Sequence, residues 1–316
     1  MRIGLITRDN AGINACIRAI VRSADYYGID IVGFSRGYKG LIEDDSTILT
    51  TRSVSGIINL GGSILKSARC PEFKTEEGLK KAYQTYKNHR LSGLIVIGGN
   101  GSLSGAHDFS ERFGIPLVGI PATIDNDVNG VEMTLGADTA INVALDALDK
   151  LRDTAHSMER VFVVEVMGRD SGYLAERVAL AAGCEDVVIP ELPFDVKSMC
   201  TKIMDGHDKG KLSWIVIVAE GKARAYDVAE AIREQTGLET REMVLGHIQR
   251  GGMPTAYDRI LASRMGVGAV KAFKEGKKGV MVAVRDTKVE YLPLEMVRKP
   301  KPNDAEATLE LMKLLS

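Results

Sequence analysis

Two carboxylates flank an amide in Thr123-Ile124-Asp125-Asn126-Asp127, and like charges so closely spaced call for a proton in transit or a cation between them. In an extended segment the two side chains project to the same side. Such a pair suits a general base at Asp125 acting on an attacking hydroxyl, a magnesium-directed carboxylate at Asp127, and a hydroxyl at Thr123 that hydrogen-bonds a substrate oxygen. An Asx-turn that merely closes a loop uses the same residue types. A second stretch, Gly98-Gly99-Asn100-Gly101-Ser102, places glycines where backbone must approach a neighbour, directly before residues of helical period, so its free N–H groups can receive phosphate. Tight strand-to-helix packing is the competing reading, since the stretch is neither a Walker A loop nor a spaced GxGxxG.

The candidate cations lie further on. Arg169 follows Met167-Gly168, and Arg160, Arg241, His247 and Arg250 accompany it in the second half of the chain. In His247-Ile248-Gln249-Arg250-Gly251-Gly252 a histidine and an arginine three apart can converge on one phosphate, which arginine grips bidentately; a plain turn would also use the two glycines. Arg18 and Arg22 are four apart on a helical stretch, where like charges repel unless an anion or solvent screens them.

The elements that position these residues follow a βαβ pattern. Short β-branched runs at 3–7, 29–34, 94–97, 117–120, 161–166, 187–189, 215–219 and 280–284 alternate with helical periods at 13–27, 76–89, 103–112, 137–155, 173–182, 223–235 and 259–275. This predicts an α/β fold with mostly parallel sheets covered on both faces. Ligands of such sheets collect beyond the carboxyl ends of the strands. Gly98–Ser102, Pro121–Asp127, Met167–Arg169 and Glu220-Gly221 all follow strand candidates, which suggests one shared site.

Composition sets the outer limits. The 316 residues exceed what one core holds comfortably, about 250–300 residues, so two lobes are expected. A formal net charge of −1 provides no general attraction to nucleic acid or to an anionic membrane, and no partner of either kind is expected. Cys16, Cys70, Cys184 and Cys200 form no CxxC pair, no apolar run is long enough to span a membrane, and the histidines lack zinc-ligand spacing. A cytoplasmic protein with reduced thiols is predicted, its metal held by carboxylates.

Taken in order, the motifs GGxGS, PxTIDND, VVEVMGR, ExxTRxxxLGHIQRGG and PxxYDRxLASRMG resemble the bacterial-type phosphofructokinase family over nearly the whole length, from Gly12-Ile13-Asn14-Ala15 to Lys299. The resemblance implies two three-layer αβα lobes. One, for nucleotide and magnesium, takes residues 1–136 plus 249–299; the other, for sugar phosphate, takes 137–248 plus 300–316. It implies phosphoryl transfer from ATP, with Mg2+, to the C1 hydroxyl of fructose 6-phosphate in glycolysis, by a homotetramer. Asp125 resembles the base, with Thr123, Asp127, Met167, Gly168, Arg169 and Glu220 around the sugar and the transferred group. His247 and Arg250 match holders of the 6-phosphate, and Arg160 and Arg241 match arginines that reach it from an adjacent subunit. Tyr38, Arg69, Gly99, Gly101 and Ser102 match nucleotide-contacting positions. Arg18, Arg22, Arg52, Arg152, Glu185 and Lys211 match an allosteric effector pocket for a nucleoside diphosphate or phosphoenolpyruvate.

Three positions depart from the family pattern. Thr7-Arg8-Asp9 replaces Gly-Gly-Asp at the donor phosphates, where Arg8 either adds a cation or fills their space; Asn100 replaces an aspartate beside magnesium; and Ala122 replaces a glycine. Pyrophosphate-using relatives carry aspartate and lysine at the positions of Gly101 and Ala122, so ATP is the expected donor and pyrophosphate the lesser alternative. Asn100 and Arg8 also fit a different class, a weakly active or inactive paralogue that senses sugar phosphate as a regulatory subunit.

Overall fold

The computed structural model describes every residue except Asp304 and Ser316, two members of the expected 300–316 stretch. In chain order its strands are β1 (Arg2–Thr7), β2 (Asp30–Phe34), β3 (Ser46–Leu49), β4 (Gly93–Gly98), β5 (Leu117–Pro121), β6 (Val161–Val166), β7 (Asp186–Val188), β8 (Trp214–Ala219), β9 (Thr240–Val244), β10 (Val280–Arg285) and β11 (Lys288–Pro293). The helices are α1 (Ile13–Tyr26), α2 (Tyr38–Glu43), α3 (Glu76–Asn88), α4 (Asn100–Phe113), α5 (Ala137–Met158), α6 (Tyr173–Ala182), α7 (Val196–Asp208), α8 (Ala225–Thr236), α9 (Ala256–Lys274) and α10 (Ala305–Leu315). The chain divides into two compact units, Met1–Thr139 with Arg250–Lys301, and Ala140–Gln249 with Pro302–Ser316.

In the first unit the sheet order is β11-β10-β5-β4-β1-β2-β3. The inner strands run parallel, while β3 and β11 pair antiparallel at the two edges. Every residue of β4 is buried, as a strand covered on both faces requires. One core packs α1 and α9 through Ile13, Ile17, Ile20, Leu261 and Met265 onto one face; the other packs Leu41, Ala82, Leu103 and Phe109 of α2, α3 and α4 onto the opposite face. The second unit repeats the three layers on a wholly parallel sheet, β7-β8-β6-β9. Leu148 of α5, Val178 of α6 and Met312 of α10 cover one face, and Ile203 of α7 and Val228 of α8 the other.

Three strands and three helices lie outside the sequence expectations, each for a local reason. β3, β9 and β11 carry polar or charged residues and exposed positions, so the β-branched signal of a buried strand is missing. The helical pattern of α7 is interrupted by Gly206, whose absent side chain makes room for the Trp214 ring: a Cβ there would lie 2.5 Å from Trp214 Cζ2. α2 is only six residues long, and α10 follows the chain's last proline, Pro302.

Candidate functional site

In the first unit, β5 ends in Pro121 and delivers the loop that carries Asp125 and Asp127. The loop is not extended, so the alternation argument for these two carboxylates does not hold. Ile124 and Asp125 form a turn, and Asn126 adopts left-handed backbone geometry, φ 48°. Asn126 is buried and fully engaged: its Oδ1 accepts from the Thr134 amide (2.9 Å) and hydroxyl (3.2 Å), and its Nδ2 donates to the Glu132 carbonyl (3.1 Å). The Thr134 hydroxyl also donates to the Thr123 carbonyl (2.7 Å), and the Asp125 amide donates to Thr123 Oγ1 (3.2 Å). The loop is thus cross-braced on both sides of Asp125, which is only 6% exposed.

Beside it, Gly99 precedes α4, and a Cβ on Gly99 would meet Thr123 Cβ at 3.2 Å. Asn100 opens the helix and its Nδ2 donates to the Asp127 carbonyl (3.0 Å), joining the two stretches that the sequence singled out. Asn100 Oδ1 and Asp127 Oδ1 are both buried without a hydrogen-bond partner. Two unpaired oxygens in adjacent segments are an arrangement that a hard cation would relieve, so the residues present fit magnesium. Among the described residues no group of three His, Cys, Asp or Glu side chains is placed to hold a metal, and a magnesium that relies on phosphates and water for most of its ligands needs no such cage. Gly101 is exposed and faces open space.

The loop after β1 differs from a glycine loop in a definite way. The Arg8 amide donates to the Ile97 carbonyl (3.0 Å), and its guanidinium donates to the Ala68 carbonyl (2.6 Å), one residue before the exposed Arg69. Its Cγ passes 3.0 Å from where a Cβ on Gly98 would sit, so Gly98 makes room for the arginine stem. Tyr38 is committed to the fold: its hydroxyl donates to the Ser102 carbonyl (2.6 Å), its ring stacks on Phe73 (centroids 3.8 Å apart), and burial pushes its phenol well above the usual range. Ala122 is buried, and its amide donates to the Gly98 carbonyl (3.0 Å). Arg18 is half-buried, whereas Arg22 and Arg52 are exposed.

In the second unit the end of β6 turns sharply through Gly168 (φ 139°) and Arg169 (φ 51°). The Met167 amide donates to Gln249 Oε1 (2.8 Å), and the Arg169 amide donates to Glu220 Oε1 (3.1 Å). Glu220 therefore serves the turn that presents Arg169. A Cβ on Gly221 would fall 1.7 Å from the Arg169 carbonyl oxygen, an overlap that only backbone movement relieves. Gly221→Ala is accordingly expected to cost roughly 3 kcal/mol of stability, read as a lowered urea midpoint. Arg160 and Arg241 come together on one carboxylate: Arg160 Nε lies 2.8 Å from Glu239 Oε2, and Arg241 donates to Oε1 at 2.7 Å. The Arg160 guanidinium, followed by that of Arg241, holds Glu239 below the usual carboxylate range. His247 is exposed on a 3-10 turn, Gly246–Arg250, with Arg250 half-buried at its end. Lys211 pairs with Glu185 (3.2 Å), whose other oxygen accepts the Ile215 amide (2.7 Å), while Arg152 donates to the Ala182 carbonyl.

Four residues with clear structural duties had no role in the sequence reading: Asn126, Thr134, Gln249 and Asp258. Asp258 is fully buried and accepts from the Gly136 and Thr139 amides (2.8 Å each), just beyond the bracing Thr134. Asn126, Gln249 and Asp258 all stand inside the motifs quoted above, but a one-dimensional pattern does not tell a brace from a ligand.

A family model described as Phosphofructokinase matches residues 2–273. An ATP-dependent 6-phosphofructokinase of Thermotoga neapolitana is 47% identical over 308 residues, covering 98% of this chain and 97% of that protein. One of Clostridioides difficile is 46% identical over 317 residues, covering 99% of each. Among solved structures, phosphofructokinase from Saccharomyces cerevisiae superposes with a TM-score of 0.90 at 31% identity, covering 99% of this chain but 47% of that longer one. A pyrophosphate-dependent phosphofructokinase from Nitrosospira multiformis gives a TM-score of 0.86 at 23% identity, a likeness of fold.

Proposed function

The chain belongs to the phosphofructokinase family, and from that membership we propose that it transfers the terminal phosphoryl group of ATP to the C1 hydroxyl of fructose 6-phosphate, a step of glycolysis. The observation that carries this reading is the braced Thr123–Asp127 loop, with Asp125 held at the end of β5. Asp125 takes the proton of the attacking hydroxyl as the new oxygen–phosphorus bond forms; the bond to the bridging oxygen of ADP breaks, and ADP leaves. Phosphoryl transfer requires positioning and charge neutralisation and no covalent intermediate. Asn100 and Asp127 would hold a magnesium ion, which when bound supplies positive charge to the phosphate oxygens. Arg8, Arg69, the Gly99, Asn100 and Gly101 amides at the start of α4, and Ser102 receive the donor, while the Tyr38 hydroxyl holds the Ser102 carbonyl.

Met167, Gly168, Arg169 and Glu220 form the acceptor's surroundings, and His247 and Arg250 take its 6-phosphate. Arg160 and Arg241, already paired on Glu239, reach the same phosphate from a neighbouring subunit of a homotetramer. Arg18, Arg22, Arg52, Arg152, Glu185 and Lys211 belong to an effector pocket. The protein acts in the cytoplasm, in keeping with its free cysteines; among the described residues no helix is long and apolar enough to cross a membrane.

A coupled assay with fructose 6-phosphate and magnesium, run in parallel with ATP and with pyrophosphate, tests the reading. Turnover on the order of 1–100 per second is expected with ATP. No turnover with either donor, alongside measurable sugar-phosphate binding, would support the regulatory paralogue instead. In the same assay Asn100→Asp is expected to lower the half-saturating magnesium concentration by about tenfold, because a full charge joins the cation's neighbourhood. An unchanged magnesium titration would take position 100 away from the metal.

A further inference from the structure

Gln249 is wholly buried on the Gly246–Arg250 turn, between the two residues assigned to the acceptor's phosphate, and it has no assigned role of its own. Its Oε1 is the acceptor for the Met167 amide at 2.8 Å. Its Nε2 is buried with no partner at all. A buried amide satisfied on one side only is uncommon, and the position tolerates it for a reason the backbone supplies. Beyond β6 the chain turns through two residues of positive φ, Gly168 and Arg169, so the Met167 and Arg169 amides cannot both be served by a continuing ladder. Side-chain oxygens serve them instead: Gln249 takes Met167 and Glu220 takes Arg169. The turn is closed further by the Ser171 amide donating to the Gly168 carbonyl (2.9 Å).

We propose that Gln249 is a positioning residue for the reaction: through its Oε1 it sets the place of Met167-Gly168-Arg169 and registers that segment against the turn carrying His247. The inference rests on the acceptor-site reading given above. It assigns no contact between Gln249 and substrate, because the side chain has no exposed surface. An apolar residue of the same length removes the oxygen on which the Met167 amide is paired. The displacement reaches Arg169 two residues later.

Kinetics of Gln249→Met and Gln249→Glu tests this in the full-length protein. Gln249→Met is expected to lower kcat/KM for fructose 6-phosphate by about tenfold or more, since small misplacements of positioned groups carry penalties up to about 10²-fold, while KM for ATP stays unchanged. Gln249→Glu keeps an oxygen at the same reach, and in the neutral, protonated form that a wholly buried position favours it is expected to retain most of the activity. A folded Gln249→Met protein with wild-type constants for the acceptor overturns the proposal. So does a parallel rise of both KM values with a lowered melting midpoint, which marks a purely structural residue, and so does a Gln249→Glu protein as impaired as Gln249→Met. If Gln249→Met does not fold, Gln249→Asn, which retracts the oxygen by one methylene, is read in the same way. Failure of the underlying reading is distinguished in the wild-type protein, which would then show no turnover of fructose 6-phosphate.

Discussion

Asp125→Asn is expected to lower kcat by about 10²- to 10⁴-fold, the range a positioned general base contributes, with KM for both substrates nearly unchanged. The substitution is nearly isosteric and keeps the braces that run through the Asp125 amide, Asn126 and Thr134. What disappears is the capacity to accept the proton of the attacking hydroxyl. An amide still accepts a hydrogen bond from that hydroxyl, so acceptor binding persists. Steady-state constants for the variant, with direct binding of fructose 6-phosphate, separate the two effects. A loss in kcat smaller than about tenfold would remove the general-base role from Asp125, since solvent would then carry the proton equally well.

The parts of this molecule legible in the sequence are those where one residue type answers to one physical demand. Fully buried strands such as β4 and β8 need unbroken apolar β-branched runs, and those runs stand out. The edge strands β3, β9 and β11 face solvent along much of their length, so their composition resembles that of loops. The same division holds in the candidate site. Asp125, Asp127 and Gly98–Ser102 were visible because carboxylate pairs and glycine clusters are costly unless used. Asn126 was visible only as a spacer between two aspartates, since a left-handed backbone and three hydrogen bonds to residues 132 and 134 leave no periodic trace. Arg8 posed a choice between adding a cation and filling space. Its stem fills the space beside Gly98, and its guanidinium is directed to the Ala68 carbonyl.

Asn126 carries the second large effect. Asn126→Ala removes an acceptor from the Thr134 amide and hydroxyl and a donor to the Glu132 carbonyl, all inside a site where the residue is 2% exposed. The Thr134 hydroxyl keeps the Thr123 carbonyl, so the Thr134 amide and the Glu132 carbonyl are left unpaired, and at about 1–3 kcal/mol each a stability loss of roughly 2–6 kcal/mol is expected in urea unfolding. Activity should fall further than stability explains. Asp125 and Asp127 flank the lost anchor, and a shift of about 1 Å in a reacting group is worth about 10²-fold in kcat. Two causes contribute to the loss in the alanine variant, the missing hydrogen bonds and the strain of a Cβ at positive φ, and glycine separates them. Asn126→Gly adopts φ 48° freely but restores none of the bonds. If the bonds hold the loop, the glycine variant is as slow as the alanine variant. If left-handed geometry alone were the determinant, glycine would keep near-wild-type turnover, and the braces from Thr134 would be incidental to catalysis.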